Sequence, residues 1–553
     1  MNLRNTLSFE RKYTGAHIGI AMFALFLGTL YGPLQALEHA GINLYFLAPW
    51  TKSYYHGLTL HGVLNALIFT TFFISGFLTY VVSYSLKRPI AFRWVANLGL
   101  ILMVVGFVTA AIPLLLNMAT VLYTFYPPMK AHSAFYIGVT VLVVGSWVVG
   151  LSIFLTLAAW YKDNPGERAP LAAFMSAITF AMWQICTIGA AVELLALLIP
   201  WSLGFIDGID PQFARTLFWY TGHPLVYFWL LPAYMSWYVM VPKLAGGKLF
   251  SDPMARLSFL LFLIFSTPTG FHHQFTDPGI AAGWKLIHSV LTFSVFFPSL
   301  LTMFNMWASL NIAGKMRDGT GYVAWIAKLP WGKPELTAQL LAAILFLFGG
   351  IGGIINASYN INLVIHNTAW VSGHFHTTVG SAVALTFIGT LYWLLPHLTG
   401  KGLFSKKAAL AQVWTWFVGM IIFSRGMHLL GLLGAPRRTQ MGVAIKSEIF
   451  FNPDWNVPMI WVGVGGTILL ISYILIYVNV VGTLVAGRKL SDEEIPDVPL
   501  ADAVSRPEQG PMILSRWKPW LATATGLIIL SYGPMIIQSI YNYQATSPGF
   551  QPW

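Results

Sequence analysis

The chain is poor in charge and nearly without cysteine. Its one cysteine, Cys186, lies in an apolar run, which excludes an intrachain disulfide and a thiolate metal cluster and marks the residue as packing. Charged residues make up 9% of the 553 positions, and only 19 are acidic. There is no clear internal repeat and no low-complexity tract. What the chain does contain is 56% hydrophobic and 15% aromatic residues at a mean hydropathy of +0.67. A soluble globule of that composition would expose large apolar patches, so the chain reads as an all-α integral membrane protein.

About thirteen apolar runs are long enough to cross roughly 30 Å of hydrocarbon as helices, near 14–36, 56–84, 93–116, 134–160, 171–199, 215–242, 257–275, 285–309, 336–356, 368–396, 409–432, 457–486 and 519–540. The first is too long for a signal h-region and lacks a small-residue cleavage site, so it is expected to be retained. Most of the 31 Lys and Arg fall in the N-terminal tail and alternate loops, among them Arg4, Arg11, Lys12, Lys87, Arg88, Lys162, Arg168, Lys243, Lys315, Lys401 and Arg488. The positive-inside bias then puts the N-terminus in the cytoplasm and the C-terminus outside. The net charge of +12 is mostly this topology signal and does not argue for nucleic acid. The longest polar connection divides the chain into a core of twelve helices at 1–486, a cytoplasmic linker at 487–518, and one further transmembrane helix with an outer tail at 519–553, expected to lie at the periphery.

Six histidines lie within or beside these apolar runs: His61, His223, His272, His273, His374 and His376. Ionisable groups at membrane depth are costly and mark functional sites. In Trp-Val-Ser-Gly-His-Phe-His, His374 and His376 are two residues apart, about 200° of helical rotation, so one helix can hold two metal centres. Axial histidines suit haem iron. His61, between Gly57 and Gly62, would pair with His376 on a six-coordinate haem. His374 would then be the sole protein ligand of a five-coordinate haem with an open face for a small gas.

His223 in Thr-Gly-His-Pro-Leu-Val-Tyr and the adjacent His272 and His273 form a third group. Three imidazoles without a thiolate suit copper, with zinc and non-haem iron as competitors. Neighbouring residues diverge by about 100° on a regular helix, so a shared ion requires distortion at His272 and His273, for which Pro268 and Gly270 provide the means. Tyr227 lies one turn after His223 on the same face.

Together GLTLHGVLNA, WYTGHPLVYFWLLPAY, STPTGFHHQF and NTAWVSGHFH resemble subunit I of the haem-copper terminal oxidases, most closely the B-type or ba3-like branch, over nearly the whole chain. The resemblance implies His61 and His376 on a low-spin haem, expected to be haem B, and His374 on a high-spin haem, expected to be A-type. It implies His223, His272 and His273 on the copper CuB, and a covalent His223–Tyr227 bond. A-type relatives carry a glutamate where this chain has Leu225, which favours a single proton route resembling the K-pathway through Ser251, Tyr238, Tyr234, Ser299 and Thr302 to Tyr227. Asn305 stands where B-type relatives have a threonine, and Asn362, four residues before His366, where they have an aspartate near a haem propionate. Arg437 and Arg438 are assigned to the propionates, which guanidinium groups bind in bidentate fashion.

The implied activity is reduction of dioxygen to water coupled to proton uptake and pumping, in a prokaryotic cytoplasmic membrane. Electrons would come from cytochrome c through a partner subunit II bearing CuA, since this chain has no cysteine pair for that site, and small membrane subunits would complete the complex. A quinol donor is the alternative. Nitric oxide reductase is disfavoured by Tyr227, and a proton-coupled transporter would be colourless. Glu193 and Arg425 lie in spans without an assigned partner. His56, His288 and His428 read as structural or supporting groups, and His17, His39, His132 and His397 as interfacial.

Overall fold

The computed structural model describes residues 3–553. Thirteen helices are long and apolar enough to span a membrane: α1 Ser8–His39, α2 Tyr54–Ser85, α3 Arg93–Leu115, α4 Ser133–Asp163, α5 Leu171–Ser202, α6 Pro211–Leu244, α7 Asp252–Gln274, α8 Ala282–Lys315, α9 Pro334–Ala357, α10 Ala369–Thr399, α11 Lys406–Leu432, α12 Pro453–Ala486 and α13 Trp517–Tyr541. They match the expected runs one for one. The protein is therefore a multi-pass membrane protein. The most enclosed spans are α2, α6 and α10, which carry four of the six histidines, whereas α3, α12 and α13 keep broad apolar faces toward lipid.

Close helix contact is built from small residues, as expected where lipid removes the hydrophobic drive for association. A Cβ on Gly106 of α3 would lie 2.3 Å from the Leu142 nitrogen of α4, and one on Gly138 of α4 would lie 2.3 Å from the Ala110 nitrogen of α3.

Several spans are irregular where chemistry is expected. Among the described residues three π-helical segments occur, Val63–Phe69, Glu193–Leu198 and Thr378–Val383. The first begins two residues after His61 and the third two residues after His376. Span α7 leaves regular helix after Ser266 and resumes as a 3-10 turn at Phe271–Gln274, which is the distortion expected for His272 and His273.

The segment after α12 is tied to the core. Its strand β2, Ala503–Ser505, pairs in parallel with β1, Leu249–Ser251, and Tyr84 bonds Asp497. His397 lies between the Tyr80 hydroxyl at 2.6 Å and the Pro496 carbonyl at 2.7 Å. His17, His39 and His397 are buried, each with Nδ1 close to a backbone carbonyl, and His39 ends α1 while His397 lies near the end of α10. Helix α13 faces lipid on one side, yet on the other it buries Tyr532, whose hydroxyl meets the Trp219 carbonyl at 3.4 Å, and it offers the Ser531 carbonyl to His288 Nε2 at 3.2 Å. It thereby supports the turn that carries His272 and His273.

Candidate metal centre

Two cavities of about 230 Å³ each open inside the bundle, far above the roughly 10–15 Å³ that one water requires. One is lined by His61, His376, Gly32, Phe423 and Arg438, the other by His223, His272, His273, His374 and Tyr227. Phe375, Tyr123 and Arg437 border both. The opposed directions of His374 and His376, expected from their spacing, are realised: each enters a different cavity, with Phe375 in the wall between.

In the first cavity the His61 and His376 rings are 6.4 Å apart, centre to centre, and inclined by 16°. One metal bound on both sides through bonds of about 2 Å, with about 1.1 Å from nitrogen to ring centre, needs about 6.2 Å. His61 Nδ1 donates to the Gly28 carbonyl at 3.0 Å and His376 Nδ1 to the Ser372 carbonyl at 2.8 Å. A carbonyl only accepts, so both Nδ1 atoms carry the proton and each Nε2 keeps its lone pair for a metal. The pair fits an axially ligated haem.

In the second cavity the three nitrogens offered by His223, His272 and His273 lie within 4.8 Å of one another. The orienting partners are specific. Thr292 donates its hydroxyl hydrogen to the His288 carbonyl at 2.5 Å, so its oxygen accepts from His272 Nδ1 at 3.0 Å and leaves His272 Nε2 free. The His273 ring lies flat against Trp219, 3.8 Å away and inclined by 8°. His223 Nε2 is buried without a hydrogen bond. A buried polar atom of that kind is costly unless it meets a ligand. A neutral three-imidazole donor set fits copper, as the sequence suggested. The Tyr227 ring is 4.8 Å from that of His223, and Leu225 lines the same cavity.

His374 packs against Trp370, 5.8 Å between ring centres, and against α9, where a Cβ on Gly352 would lie 2.6 Å from its Nδ1. Glycine at 352 is what lets the imidazole sit there.

Both arginines belong to the 433–452 loop, from which Arg437 reaches both cavities and Arg438 the first. Arg437 donates to Asn367 Oδ1 at 2.8 Å, while Arg438 lies over the Tyr123 and Tyr126 rings with a buried, unpartnered Nη2. Among the described residues no carboxylate pairs with either one. Two adjacent guanidinium groups without a protein anion suit a ligand that brings its own carboxylates. Burial and the adjacent Arg438 both lower the Arg437 pKa from its ordinary value. His366 Nδ1 meets Asn362 Oδ1 at 2.9 Å, and Asn362 Nδ2 donates to the Asn356 carbonyl at 2.7 Å. Burial, together with Arg437, Arg215 and Lys285, holds His366 down at about 4.

The hydroxyl ladder is brought together in part. Tyr238 donates to Thr302 at 2.9 Å, and Thr302 meets Ser258, absent from the expected set, at 2.9 Å. Ser299 lines the second cavity with Tyr227, and Tyr234 is buried within reach of Ser299 but closes no hydrogen bond. Ser251 caps α7 by accepting from the Met254 N–H at 3.3 Å. Asn305 bonds the Ser251 backbone twice, at 2.8 and 3.2 Å, so its amide is a clamp on β1 rather than a free relay. Thr292, Gly352 and Ser258 escaped the sequence reading because none belongs to a histidine motif; Trp219 opens the WYTGHPLVYFWLLPAY motif, but its stacking on His273 exists only once the chain is folded.

A polytopic bundle that holds facing imidazoles in one cavity and a three-histidine cluster with a fourth imidazole in the next defines a membrane haem and copper protein. The description "Cytochrome C and Quinol oxidase polypeptide I" matches residues 12–468, and the chain belongs to this family, subunit I of the haem-copper oxidases. It is 45% identical to cytochrome c oxidase subunit 1 of Thermus thermophilus over 98% of this chain and 97% of that protein. Cytochrome c oxidase polypeptide 1 of Halobacterium salinarum is 28% identical over 70% of this chain and 65% of its own length. A solved haem-copper terminal oxidase dimer superposes with a TM-score of 0.91 at 39% identity, covering 98% of this chain and 94% of the other. The chain is the catalytic subunit of a respiratory terminal oxidase, an oxidoreductase that uses haem and copper. Its family implies dioxygen as substrate and further oxidase subunits as partners.

Proposed function

We propose that the chain is the subunit I of a B-type, ba3-like cytochrome c oxidase, with His61 and His376 as axial ligands of a low-spin haem, His374 as the ligand of a high-spin haem, and His223, His272 and His273 as the ligands of CuB. One observation carries the assignment: near-parallel imidazoles 6.4 Å apart in one cavity and three converging histidines, His272 held by Thr292, in the next, separated by Phe375. When bound, the haems and copper supply the electron transfer and the cleavage of the O–O bond. The low-spin haem is haem B and the high-spin haem A-type, as the resemblance suggests.

The chain's own residues hold and deliver. Gly28, Ser372 and Thr292 fix the tautomers of three ligands. Arg437 and Arg438 anchor the propionates, with Asn362 and His366 beside them. Tyr227 supplies a proton and an electron next to the copper, and the resemblance adds its covalent bond to His223. Protons come from the side of the N-terminus, taken as cytoplasmic, through Tyr238, Thr302, Ser299 and Tyr234, with Ser251 and Asn305 shaping the mouth of the route. Tyr227 and Tyr238 are eleven residues apart, about 16 Å of helix, so the ladder spans roughly half the membrane. Residues 1–486 form the oxidase core, 487–518 a cytoplasmic linker and 519–553 an added helix and tail, in a prokaryotic cytoplasmic membrane with the C-terminus outside.

Electrons come from cytochrome c, as the names of the relatives suggest, and pass through a CuA-bearing subunit, as the family resemblance implies. Steady-state oxygen consumption by the purified complex tests this with reduced cytochrome c and with quinol in parallel. Faster turnover with cytochrome c supports the proposal, and turnover with quinol alone overturns the donor. In the same assay Tyr227→Phe keeps both haem spectra and loses oxygen consumption by about 100-fold or more, the scale expected for removal of a group that transfers a proton at the reacting centre.

A further inference from the structure

Among the described residues Glu193 is a carboxylate with both oxygens buried and unpartnered. It is fully buried in α5, and neither carboxylate oxygen has a hydrogen bond or a cation. Glu38, another buried carboxylate toward the same end of the bundle, receives a hydrogen bond from Gln440 at 3.2 Å. An anion at Glu193 would have nothing to balance it, so the group is a neutral acid whose polar atoms are left for water.

A second, independent observation is the backbone. Glu193 opens one of three π-helical segments, and the other two begin two residues after His61 and His376. Such segments interrupt helices frequently at functional sites. The α5 segment is also joined to the helix of the metal site: the Ala190 N–H donates to Thr221 Oγ1 at 2.8 Å, and Thr221 donates to the Cys186 carbonyl at 2.8 Å, two residues before His223. A Cβ on Gly189 would lie 2.7 Å from the Leu217 carbonyl, so α5 and α6 touch backbone to backbone here.

Depth gives the direction. Glu193 is nine residues from the Ser202 end of α5, about 13 Å, and His223 is twelve from the Pro211 start of α6, about 18 Å, and both ends lie on the arginine-pair side. Glu193 is thus closer to that surface than the metal site is, while the tyrosine ladder runs the other way. On that side position 362 is an asparagine and offers no acid. Tyr136 of α4, within electrostatic reach of Glu193, has its hydroxyl near the outer loop, where it accepts from the Ala131 N–H at 3.0 Å.

We propose that Glu193 is an intramembrane proton-holding site on the release side of the metal centre: a hydrated carboxylic acid that passes its proton outward and regains one as the charge of the centre changes. The proposal rests on the oxidase reading above and adds to it a residue outside the hydroxyl ladder. The proton is conserved at each transfer, moving between carboxylate and water.

The test uses the whole complex. Redox-induced infrared difference spectra of wild-type enzyme grown with carbon-13-labelled glutamate are expected to contain a carboxylic acid band that moves on labelling and disappears in Glu193→Gln. In liposomes, protons ejected per electron are expected to fall in the same variant, because intramembrane ionisable residues mark proton relays. The absence of a glutamate acid band in the labelled wild type overturns the proposal without any variant, and so does unchanged ejection per electron in Glu193→Gln. Haem spectra and oxygen consumption are read on the same wild-type samples, so failure of the oxidase reading would register there separately.

Discussion

At the scale of single residues, the proposed ligands stand out because their chemistry is rare in apolar sequence. Six imidazoles in spanning helices, two at a spacing that divides them between two faces, leave few other uses, and the structure places each beside a cavity with the opposite neighbours expected. Their supports were not legible. Thr292 lies twenty residues from His272, and only the folded α7 and α8 bring them to 3.0 Å. Replacing Thr292 by Val keeps the shape and removes the acceptor for Nδ1–H. Loss of such an outer partner costs roughly 10–100-fold in metal affinity. Copper retained per chain after dialysis against a chelator should therefore fall while iron stays constant, and wild-type copper retention would refute the orienting role. Asn305 shows the reverse problem. Its place in the sequence suggested a relay, whereas both ends of its amide are bound to the Ser251 backbone, a commitment visible only once β1 is formed.

At the scale of elements, all thirteen spans could be read from hydropathy because lipid leaves a helix almost no alternative way to satisfy its backbone. Irregularities within them could be read only at α7, where Pro268 and Gly270 precede the two histidines. The π-helical segments at Val63–Phe69 and Thr378–Val383 contain no proline and only Gly380, so composition gave no warning of them. Packing through glycine carries its own prediction. Gly106→Leu would drive a side chain into the backbone of α4, where even a Cβ meets Leu142 N at 2.3 Å and the Gly138 carbonyl at 2.6 Å. Overpacking of this kind costs roughly 1–3 kcal/mol. The midpoint of thermal inactivation should drop by several degrees while the optical spectra of the surviving enzyme are unaltered, since α3 supplies no lining residue of either cavity. An unchanged midpoint would mean that the two helices are not held at this distance.

At the scale of the whole molecule, two cavities inside the bundle share a wall through Phe375 and a charged border at Arg437, while the outer faces of several spans are apolar. That architecture was expected from the family resemblance, but the tethering of the 487–518 segment by β2, and the burial of Tyr532 of α13 beneath the His272 turn, depend on contacts between residues hundreds of positions apart. The central claim is that one chain holds two haems and one copper, with one haem open to a gas. Metal content and optical spectra of the purified complex, before and after carbon monoxide, test it most directly once the metal of any CuA-bearing partner is counted separately. Two haem irons and one copper are expected for this chain, with carbon monoxide shifting the spectrum of one haem only. Non-haem iron in place of copper, or both haems closed to carbon monoxide, would contradict it.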